Sequence, residues 1–335
     1  MEWEASDRCN LAGCENDRPS PRALEAIQRP TSPMLTDHWD PQDSVLRSTL
    51  GRQHGVPADQ VFLTSGAMGA IRYSFEVFGN QSDRIGLLSP DWPGFRFFAE
   101  RSRRQVTWLE HHDFPFHFTI DEVAKFVNDN GVDFTVVSNP SAVTGKLWSR
   151  EDIDALLQEC PRTMFVIDEA DAIYPTLSVS SLVNHHDNVL VLGSFSKFYG
   201  LSGLRIGYLI CPAQYSWAFE NTIDVIELTS LAIVAAREAL CDTEYQQQTQ
   251  REVAGNLERL TTAAATSNYQ LVPGSQCFAA YLYGGEHVPD PLIVLADKGI
   301  DLVPAKWFGL PRGGRLNLRN PGSIDRLISA LDVAS

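Results

Sequence analysis

The chain has 335 residues, of which 44% are hydrophobic, and its 27 basic and 42 acidic side chains give a formal charge of −15. This length predicts a globular protein of about two domains, since a domain usually contains about 150 residues. The negative charge argues against nucleic acid or an anionic membrane surface as the main partner. No uncharged apolar run reaches about 18 residues and no basic, then apolar leader opens the sequence, so we expect a soluble, cytoplasmic protein.

Cysteine and histidine spacing gives no sign of a metal site. The six cysteines are scattered without a Cys-x-x-Cys pair, which favours reduced structural thiols over a disulfide framework or a zinc site. The pairs His111-His112 and His185-His186 lack a third ligand at helical or hairpin spacing. We therefore expect no metal.

The N-terminal segment, up to about Thr36, contains one short predicted helix at 21–28. It is too small to form a core, so we expect it to pack on the body or on another subunit. The middle of the chain alternates β-branched runs with amphipathic stretches, which is typical of an open sheet covered by helices on both faces. The predicted strands are 61–63, 85–88, 106–109, 134–137, 164–167, 189–192 and 206–210.

The last two of these strands are separated by about a dozen residues, many of them Gly and Ser, which is too few for a crossover helix. We therefore expect the last strand to run antiparallel to the others. After Cys211 the pattern predicts helices at 219–240 and 245–266 and half-exposed strands at 277–283, 300–303 and 315–318. These elements would form a smaller α+β domain.

The most informative segment is 193–208, which reads GSFSKFYGLSGLRIGY. Lys197 follows a buried strand in a turn rich in glycine and serine, and Arg205 lies eight residues further on. A lysine on a loop is ordinarily a surface residue. These neighbours instead favour a lysine that forms a Schiff base with a carbonyl compound.

Other residues complete the requirements of pyridoxal phosphate, which needs a carboxylate at its pyridinium nitrogen, an aromatic neighbour and a phosphate cup. Asp168 ends a buried strand, where a carboxylate is costly unless it serves a cation. The segment 64–70, TSGAMGA, follows a strand and opens a helix, so the amides of Ala67 and Met68 suit a phosphate. Further candidates are Ser194, Ser196 and Arg205 for the phosphate and Trp92 for stacking.

Taken together, these residues resemble the fold-type-I pyridoxal phosphate enzymes. The resemblance is to class I/II aminotransferases of the histidinol-phosphate aminotransferase and threonine-phosphate decarboxylase kind, and it extends over about 11–331. Its most specific motif is Ser-Phe-Ser-Lys-x-x-Gly-Leu-x-Gly-Leu-Arg-x-Gly-Tyr, at 194–208.

The resemblance implies an α/β fold like that of aspartate aminotransferase. A three-layer α/β/α large domain, 37–241, would contain a mostly parallel seven-stranded sheet with one antiparallel strand. A small α+β domain would be formed by 1–36 and 242–335. The family also implies a homodimer.

The resemblance further implies two catalytic residues, since Lys197 would form the internal aldimine and Asp168 would pair with the pyridinium. Substrate would be bound by Asn16 and by Arg315, which would hold an α-carboxylate with both arms of its guanidinium. The other implied cofactor-binding residues are Ala67, Met68, Trp92, Asn139, Asp171, Ser194, Ser196 and Arg205.

Two positions depart from the family. Ala142 and Asp171 stand where the family has an asparagine and a tyrosine, which both donate to the cofactor's phenolic oxygen. Their loss should leave that oxygen less stabilised and raise the pKa of the imine. Alternatively, Tyr174 supplies the missing hydroxyl through a local shift of the chain.

A third position also departs from the family. The family's tyrosine that reaches the neighbouring subunit's phosphate is replaced by the stretch 37–40, where His38 or Trp39 could stand in.

We therefore expect an enzyme of amino acid metabolism, an aminotransferase acting on a small-molecule amino acid and a keto acid acceptor. Lys197 would take the Cα proton and return it. The alternative is a pyridoxal phosphate-dependent lyase, decarboxylase, cyclase or oxidase, which Ala142 and Asp171 favour. A non-catalytic scaffold is disfavoured by Lys197 and Asp168.

Two features of the sequence bear on the identity of the substrate. Asp171 and the acidic surface suggest a cationic amino acid, because the carboxylate could pair with a guanidinium or an amine. For a phosphorylated substrate, Arg18 and Arg319 are the candidates for a second cation.

Overall fold

The computed structural model describes residues 8–13, 16, 18–36, 40, 42–79, 84–224, 226–272 and 277–332. Its strands are β1 Cys9–Asn10, β2 Val61–Thr64, β3 Arg84–Ser89, β4 Gln105–Glu110, β5 Phe134–Ser138, β6 Met164–Asp168, β7 Val189–Ser194, β8 Gly207–Ile210, β9 Gln270–Val272, β10 Ala279–Tyr283, β11 Ile300–Asp301, β12 Val303–Pro304 and β13 Gly314–Asn317. Its α-helices are α1 Pro21–Gln28, α2 Ser32–Thr36, α3 Ser44–His54, α4 Gly66–Ser74, α5 Gly94–Arg101, α6 Ile120–Asn130, α7 Arg150–Glu159, α8 Ser216–Glu220, α9 Ser230–Cys241, α10 Thr243–Ala265, α11 Pro291–Asp297 and α12 Pro321–Asp332.

Seven strands form the large sheet, in the order β2-β8-β7-β6-β5-β3-β4. Strands β3 to β7 pair in parallel, whereas β8 runs antiparallel to both of its neighbours, β2 and β7. All seven predicted strands are present, and the expected antiparallel strand is confirmed. The short connection between β7 and β8 leaves no room for a crossover helix, and this explains the reversal.

Apart from the edge strand β4, the large sheet is buried on both faces, as an α/β/α sandwich requires. Successive residues of a strand point to opposite faces, and here they belong to two separate apolar clusters. Val137, Ile167 and Val191 lie in one cluster, and Val136, Val166 and Leu190 lie in the other. The expected three-layer architecture is confirmed.

The second sheet is antiparallel and has the order β12-β13-β10-β9. Close to it, β1 pairs in parallel with β11, with Cys9 opposite Ile300, so the N-terminal arm joins the C-terminal region. Helix α1 packs against α9, which confirms that the arm rests on the body. We retain as a proposal the division into 37–241 and a small domain made from both chain ends.

Two expectations for the C-terminal half are wrong in detail. The helix predicted at 219–240 is interrupted, because Thr229 starts α9 by accepting a hydrogen bond from the Ala232 N–H at 3.2 Å. The strands expected to be half-exposed, β10 and β13, are almost entirely buried. Apolar clusters cover both faces of β10, with Leu282 in one and Tyr281 in another.

Among the described residues, no helix is both long enough and apolar enough to cross a membrane.

Candidate active site

A cavity of about 380 Å³ opens at the carboxyl ends of β6 and β7 and at the N-terminus of α4. Parallel α/β sheets usually bind ligands at this edge. Most of the predicted site residues line it, namely Ala67, Met68, Trp92, Asp168, Asp171, Ser194, Ser196, Lys197, Arg205 and Arg315.

One end of the cavity is suited to an anion. The N-cap residue of α4, Ser65, makes no side-chain capping bond, so the first-turn amides face the cavity without a side-chain acceptor from the N-cap residue. The guanidinium of Arg205 lies at the same end and is held by a hydrogen bond from Nη1 to the Ser202 carbonyl at 2.9 Å. A helix N-terminus with an adjacent arginine fits a phosphate group.

Two glycines allow this end to close. A Cβ at Gly207 would lie 2.6 Å from the carbonyl carbon of Gly66 and 2.8 Å from the Ala67 nitrogen. A Cβ at Gly66, where φ is +66°, would lie 2.6 Å from Nη2 of Arg205. Strand β8, helix α4 and Arg205 can therefore meet only where side chains are absent.

Asp168 lies at the end of β6 and is buried. Burial raises its pKa to about 6, against the lowering effects of a hydrogen bond from the Ala170 N–H and of the Lys197 charge. A buried carboxyl of this kind is stabilised in its charged form by a cation, such as a protonated ring nitrogen. The surroundings of Asp168 therefore fit a pyridinium partner.

Trp92 lines the cavity, and its position depends on a residue that the sequence analysis missed. The buried Asp91 accepts hydrogen bonds from the Trp92 N–H at 2.7 Å, from the Ser138 N–H at 3.2 Å and from the Ser138 hydroxyl. The Ser138 hydroxyl in turn accepts from the Ala142 N–H at 3.0 Å. Burial raises the pKa of Asp91 to about 7. The available signal was an acidic residue at the end of a buried strand.

Lys197, Asp171 and Arg315 form a chain of charges along the cavity wall. Lys197 Nζ donates to Asp171 Oδ2, and Arg315 Nη2 lies 3.5 Å from Asp171 Oδ1. Arg315 is only 1% exposed and Asp171 only 3% exposed. Arg315 Nε also donates to the Ala142 carbonyl at 2.6 Å. Ala142 and Asp171, two of the positions that depart from the family, therefore both contact the arginine predicted to bind the substrate.

Two predicted site residues do not line the cavity. The Asn139 side chain is bound to the Trp148 backbone, accepting from its N–H at 2.8 Å and donating to its carbonyl at 3.3 Å. Asn16 donates to the Tyr245 hydroxyl and accepts from Arg319 Nε at 2.6 Å. The side chain of Asn16 therefore orders the N-terminal arm.

Tyr174 also lies outside the main cavity, beside a second small one that Glu169 and Ser178 help to line. It is therefore not placed to replace the family's tyrosine through a shift of the chain. Burial raises the pKa of Glu169 to about 7, and Glu169 accepts hydrogen bonds from the Ser178 hydroxyl and the Val179 N–H. The proposed stand-ins for the partner-facing tyrosine, His38 and Trp39, lie outside the described residues.

The two arginines considered for a substrate phosphate bind a carboxylate instead. Arg18 Nη2 lies 2.6 Å from Glu252 Oε2, and Arg319 Nη1 lies 2.9 Å from the same oxygen. Neither arginine lines the cavity.

A lysine, a buried carboxylate and a helix N-terminus around one cavity of such a sheet are typical of fold-type-I pyridoxal phosphate enzymes. The chain belongs to the class I and II aminotransferase family, whose model matches residues 9–331. This confirms the resemblance found in the sequence, together with the expected enzyme class and cofactor, pyridoxal phosphate.

Similar proteins agree with this family. Histidinol-phosphate aminotransferase of Erythrobacter litoralis is 28% identical over 335 residues, which cover 97% of this chain and 89% of the relative. Histidinol-phosphate aminotransferase 2 of Burkholderia mallei is 29% identical over 322 residues, covering 93% and 88%.

Solved structures share the fold. Histidinol-phosphate aminotransferase from Sinorhizobium meliloti, in complex with pyridoxal-5'-phosphate, superimposes with a TM-score of 0.84 at 22% identity, covering 97% of this chain and 90% of that one. A double mutant of Thermus thermophilus aspartate aminotransferase superimposes with a TM-score of 0.77 at 20% identity, covering 97% and 92%.

Substitution of Gly207 by alanine should disrupt the anion end of the cavity. The three nearest neighbours of the new Cβ are backbone atoms, two of them at the start of α4, so the backbone there has to move. We expect pyridoxal phosphate affinity to fall by roughly tenfold or more, about the loss of one charge-assisted hydrogen bond. Gly203→Ala is the control, since among the described residues, apart from its two chain neighbours, no atom lies within 4 Å of the added Cβ. Equal affinities of the two variants in a fluorescence titration would contradict this account.

The buried Glu169 should make stability depend on pH. Its carboxyl binds a proton more tightly in the folded chain, so its contribution to stability falls as pH rises between the ordinary pKa of 4.5 and about 7. Glu169→Gln should remove this dependence. As pH rises, the free energy of unfolding of the variant should therefore increase, relative to that of the wild type, by on the order of 1 to 3 kcal/mol. Urea unfolding of the cofactor-free proteins at several pH values measures the difference. Parallel pH profiles would count against it.

Proposed function

We propose that this aminotransferase moves the amino group of an unphosphorylated α-amino acid to a keto acid, with Lys197 transferring the proton at Cα. The observation that carries the proposal is the arrangement of one cavity wall, where Lys197 and Arg315 both pair with Asp171 and the charge of Lys197 acts on the buried Asp168. When bound, pyridoxal phosphate condenses through its aldehyde with primary amines and withdraws electrons from the carbon that bears the amine.

Different residues of the cavity would bind different groups of the cofactor. The phosphate would be held by the first turn of α4, at Ala67 and Met68, together with Arg205. The serines Ser194 and Ser196 would complete this cup. Asp168 would keep the ring nitrogen protonated, and Trp92 would cover a ring face.

Lys197 and Arg315 would act on the substrate. The Lys197 amine would take the proton from Cα and return it at the end of the transfer, as general base and then as general acid. Arg315, held by the Ala142 carbonyl, would fix the α-carboxylate and so orient the bond that breaks.

The wall beyond Arg315 supports an uncharged side chain on the substrate. Val303 lies opposite Arg315 where β12 pairs with β13, and it lines the cavity together with Ala12, Trp307 and Phe308. The relatives are named for histidinol phosphate, but Arg18 and Arg319 are bound to Glu252 here. Among the described residues, Lys197, Arg205 and Arg315 are the cations that line the cavity. Each of them already has a role other than binding a second phosphate.

Asp171 also favours a second outcome of the reaction. A carboxylate stands where the family has a neutral tyrosine donor, which changes the charge beside Lys197. If amino acids yield keto acid with ammonia, or carbon dioxide, without any acceptor, a lyase, decarboxylase or oxidase replaces the aminotransferase.

We expect a homodimer, because large apolar side chains remain exposed at the rim of the cavity. Met68 is 45% exposed and Trp307 is 61% exposed, although both line the site. Exposed apolar groups at a functional rim are typical of surfaces that bind another protein. Sedimentation velocity should give twice the mass of the 37.2 kDa chain. A monomer at micromolar concentration would remove this part of the proposal.

Replacement of Lys197 tests the proposed function directly. Lys197→Ala should abolish the visible absorbance of the bound cofactor and lower the rate of amino transfer by roughly a thousandfold or more, as loss of general acid–base catalysis predicts. Lys125→Ala is the matched control, because Lys125 is exposed and, in the described part of the chain, forms its ion pair with Asp129 on the same helix. A wild type that stays colourless with cofactor supplied, or an active Lys197→Ala variant, would contradict the proposal.

A further inference from the structure

Asp171 contacts the ammonium group of Lys197, and it is a carboxylate where the family has a tyrosine. Its Oδ2 accepts from Lys197 Nζ, and its side chain is almost fully buried in the cavity wall. The site therefore already contains a place where a carboxylate binds a primary alkylammonium. A tyrosine hydroxyl could not supply a negative charge there.

The second oxygen of Asp171 faces the arginine expected to hold the substrate's carboxylate. Arg315 Nη2 lies 3.5 Å from Oδ1, and among the described residues no hydrogen-bond donor reaches that oxygen. The pair is attractive but longer than an ordinary charge-assisted hydrogen bond of about 2.8 Å. Asp171 thus separates one cation, Lys197, from another, Arg315, with one oxygen toward each.

An α-amino acid has the charge pattern that complements this arrangement. Its carboxylate and ammonium are attached to one carbon, and the cavity offers a guanidinium and a carboxylate 3.5 Å apart. A carboxylate bound at Arg315 alone would be repelled by Asp171, whereas a zwitterion also brings a cation for Asp171. The substrate amine would also have to approach the place of Lys197 Nζ, because the aldehyde of bound pyridoxal phosphate would accept either amine at the same carbon.

We propose that Asp171 binds the α-ammonium group of the substrate while Arg315 binds its α-carboxylate, so that the pair recognises an amino acid as a zwitterion. The proposal rests on the proposed function and assigns Asp171 to substrate binding. It differs from the suggestion that Asp171 selects a cationic side chain. It predicts that Asp171 distinguishes amino acids from their deaminated analogues, whatever the side chain is.

The test measures binding by calorimetry, using cofactor-loaded wild type and Asp171→Asn. The probes are 2-aminoisobutyrate, which has no Cα proton to lose, and isobutyrate, which has the same carbon skeleton without the amine. Asp171→Asn should weaken 2-aminoisobutyrate by roughly tenfold or more, the value of a hydrogen bond between charged groups. The same substitution should leave the affinity for isobutyrate unchanged or increase it. Asp297→Asn, which removes an exposed carboxylate, should change neither.

Three results would overturn the proposal. Equal weakening of both probes would mean that Asp171 only supports the structure of the site. Weakening of α-methylornithine without weakening of 2-aminoisobutyrate would assign Asp171 to a side-chain cation. Failure of 2-aminoisobutyrate to bind the wild type would show that the pair does not recognise a zwitterion.

A kinetic measurement separates this proposal from the proposed function. In single half-reactions, Asp171→Asn should slow conversion of the enzyme by low concentrations of amino acid, through weaker binding. In the reverse half-reaction the keto acid has no ammonium group, so the concentration of keto acid that gives half of the maximal rate should be unchanged, whatever the substitution does to the maximal rates of both half-reactions. A wild type that no amino acid converts would refute the proposed function, while the calorimetry would still decide the role of Asp171.

Discussion

The site depends on the insertion of one antiparallel strand between two parallel ones. Strand β8 pairs with β2 on one side and with β7 on the other, which places Gly207 opposite both Thr64 and Ser194. The chain enters helix α4 after Thr64, and it enters the Lys197 turn after Ser194. Backbone hydrogen bonding therefore brings the helix N-terminus, the lysine turn and Arg205 together, and only the absence of side chains at Gly66 and Gly207 lets them approach.

This arrangement concentrates buried charge that is balanced locally. Asp168 and Asp171 lie beside Lys197 and Arg315, and each charge has a neighbour of opposite sign. Burial of these groups is costly to folding, and pairing recovers part of the cost. Asp91 adds a further buried carboxyl, whose raised pKa reflects burial and the nearby Asp168. Burial of the large apolar clusters on both faces of the sheet offsets the rest of this cost.

The sequence was sufficient to predict the parts of the fold that follow from local patterns. Runs of β-branched residues marked all seven strands, and the short Gly-rich connection marked the reversed one. The helix break before Thr229 was missed, because amphipathic spacing continues through a stretch in which capping decides the structure. Burial of β10 was also missed, since alternation along a strand does not reveal what packs on its second face.

The candidate site was predictable where a motif fixes a backbone position, and less so where side chains choose their partners. Lys197, Asp168 and Arg205 line the cavity as expected. Asn139 is at the expected position in the chain, but its amide is bound to Trp148. Asp91 was not predicted to belong to the site, because the sequence does not show that it accepts a hydrogen bond from the distant Ser138.

The pairing of β1 with β11 has a consequence for synthesis on the ribosome. Cys9 emerges early, yet its partner Ile300 follows about 290 residues later, a delay of roughly 15 to 60 seconds at ordinary translation rates. Until then the arm that carries Asn16 lacks Arg319 as well, which lies still later in the chain. Strand β1 and Asn16 are therefore translated long before the residues that hold them, so this part of the arm can take its final position only after Arg319 has been made.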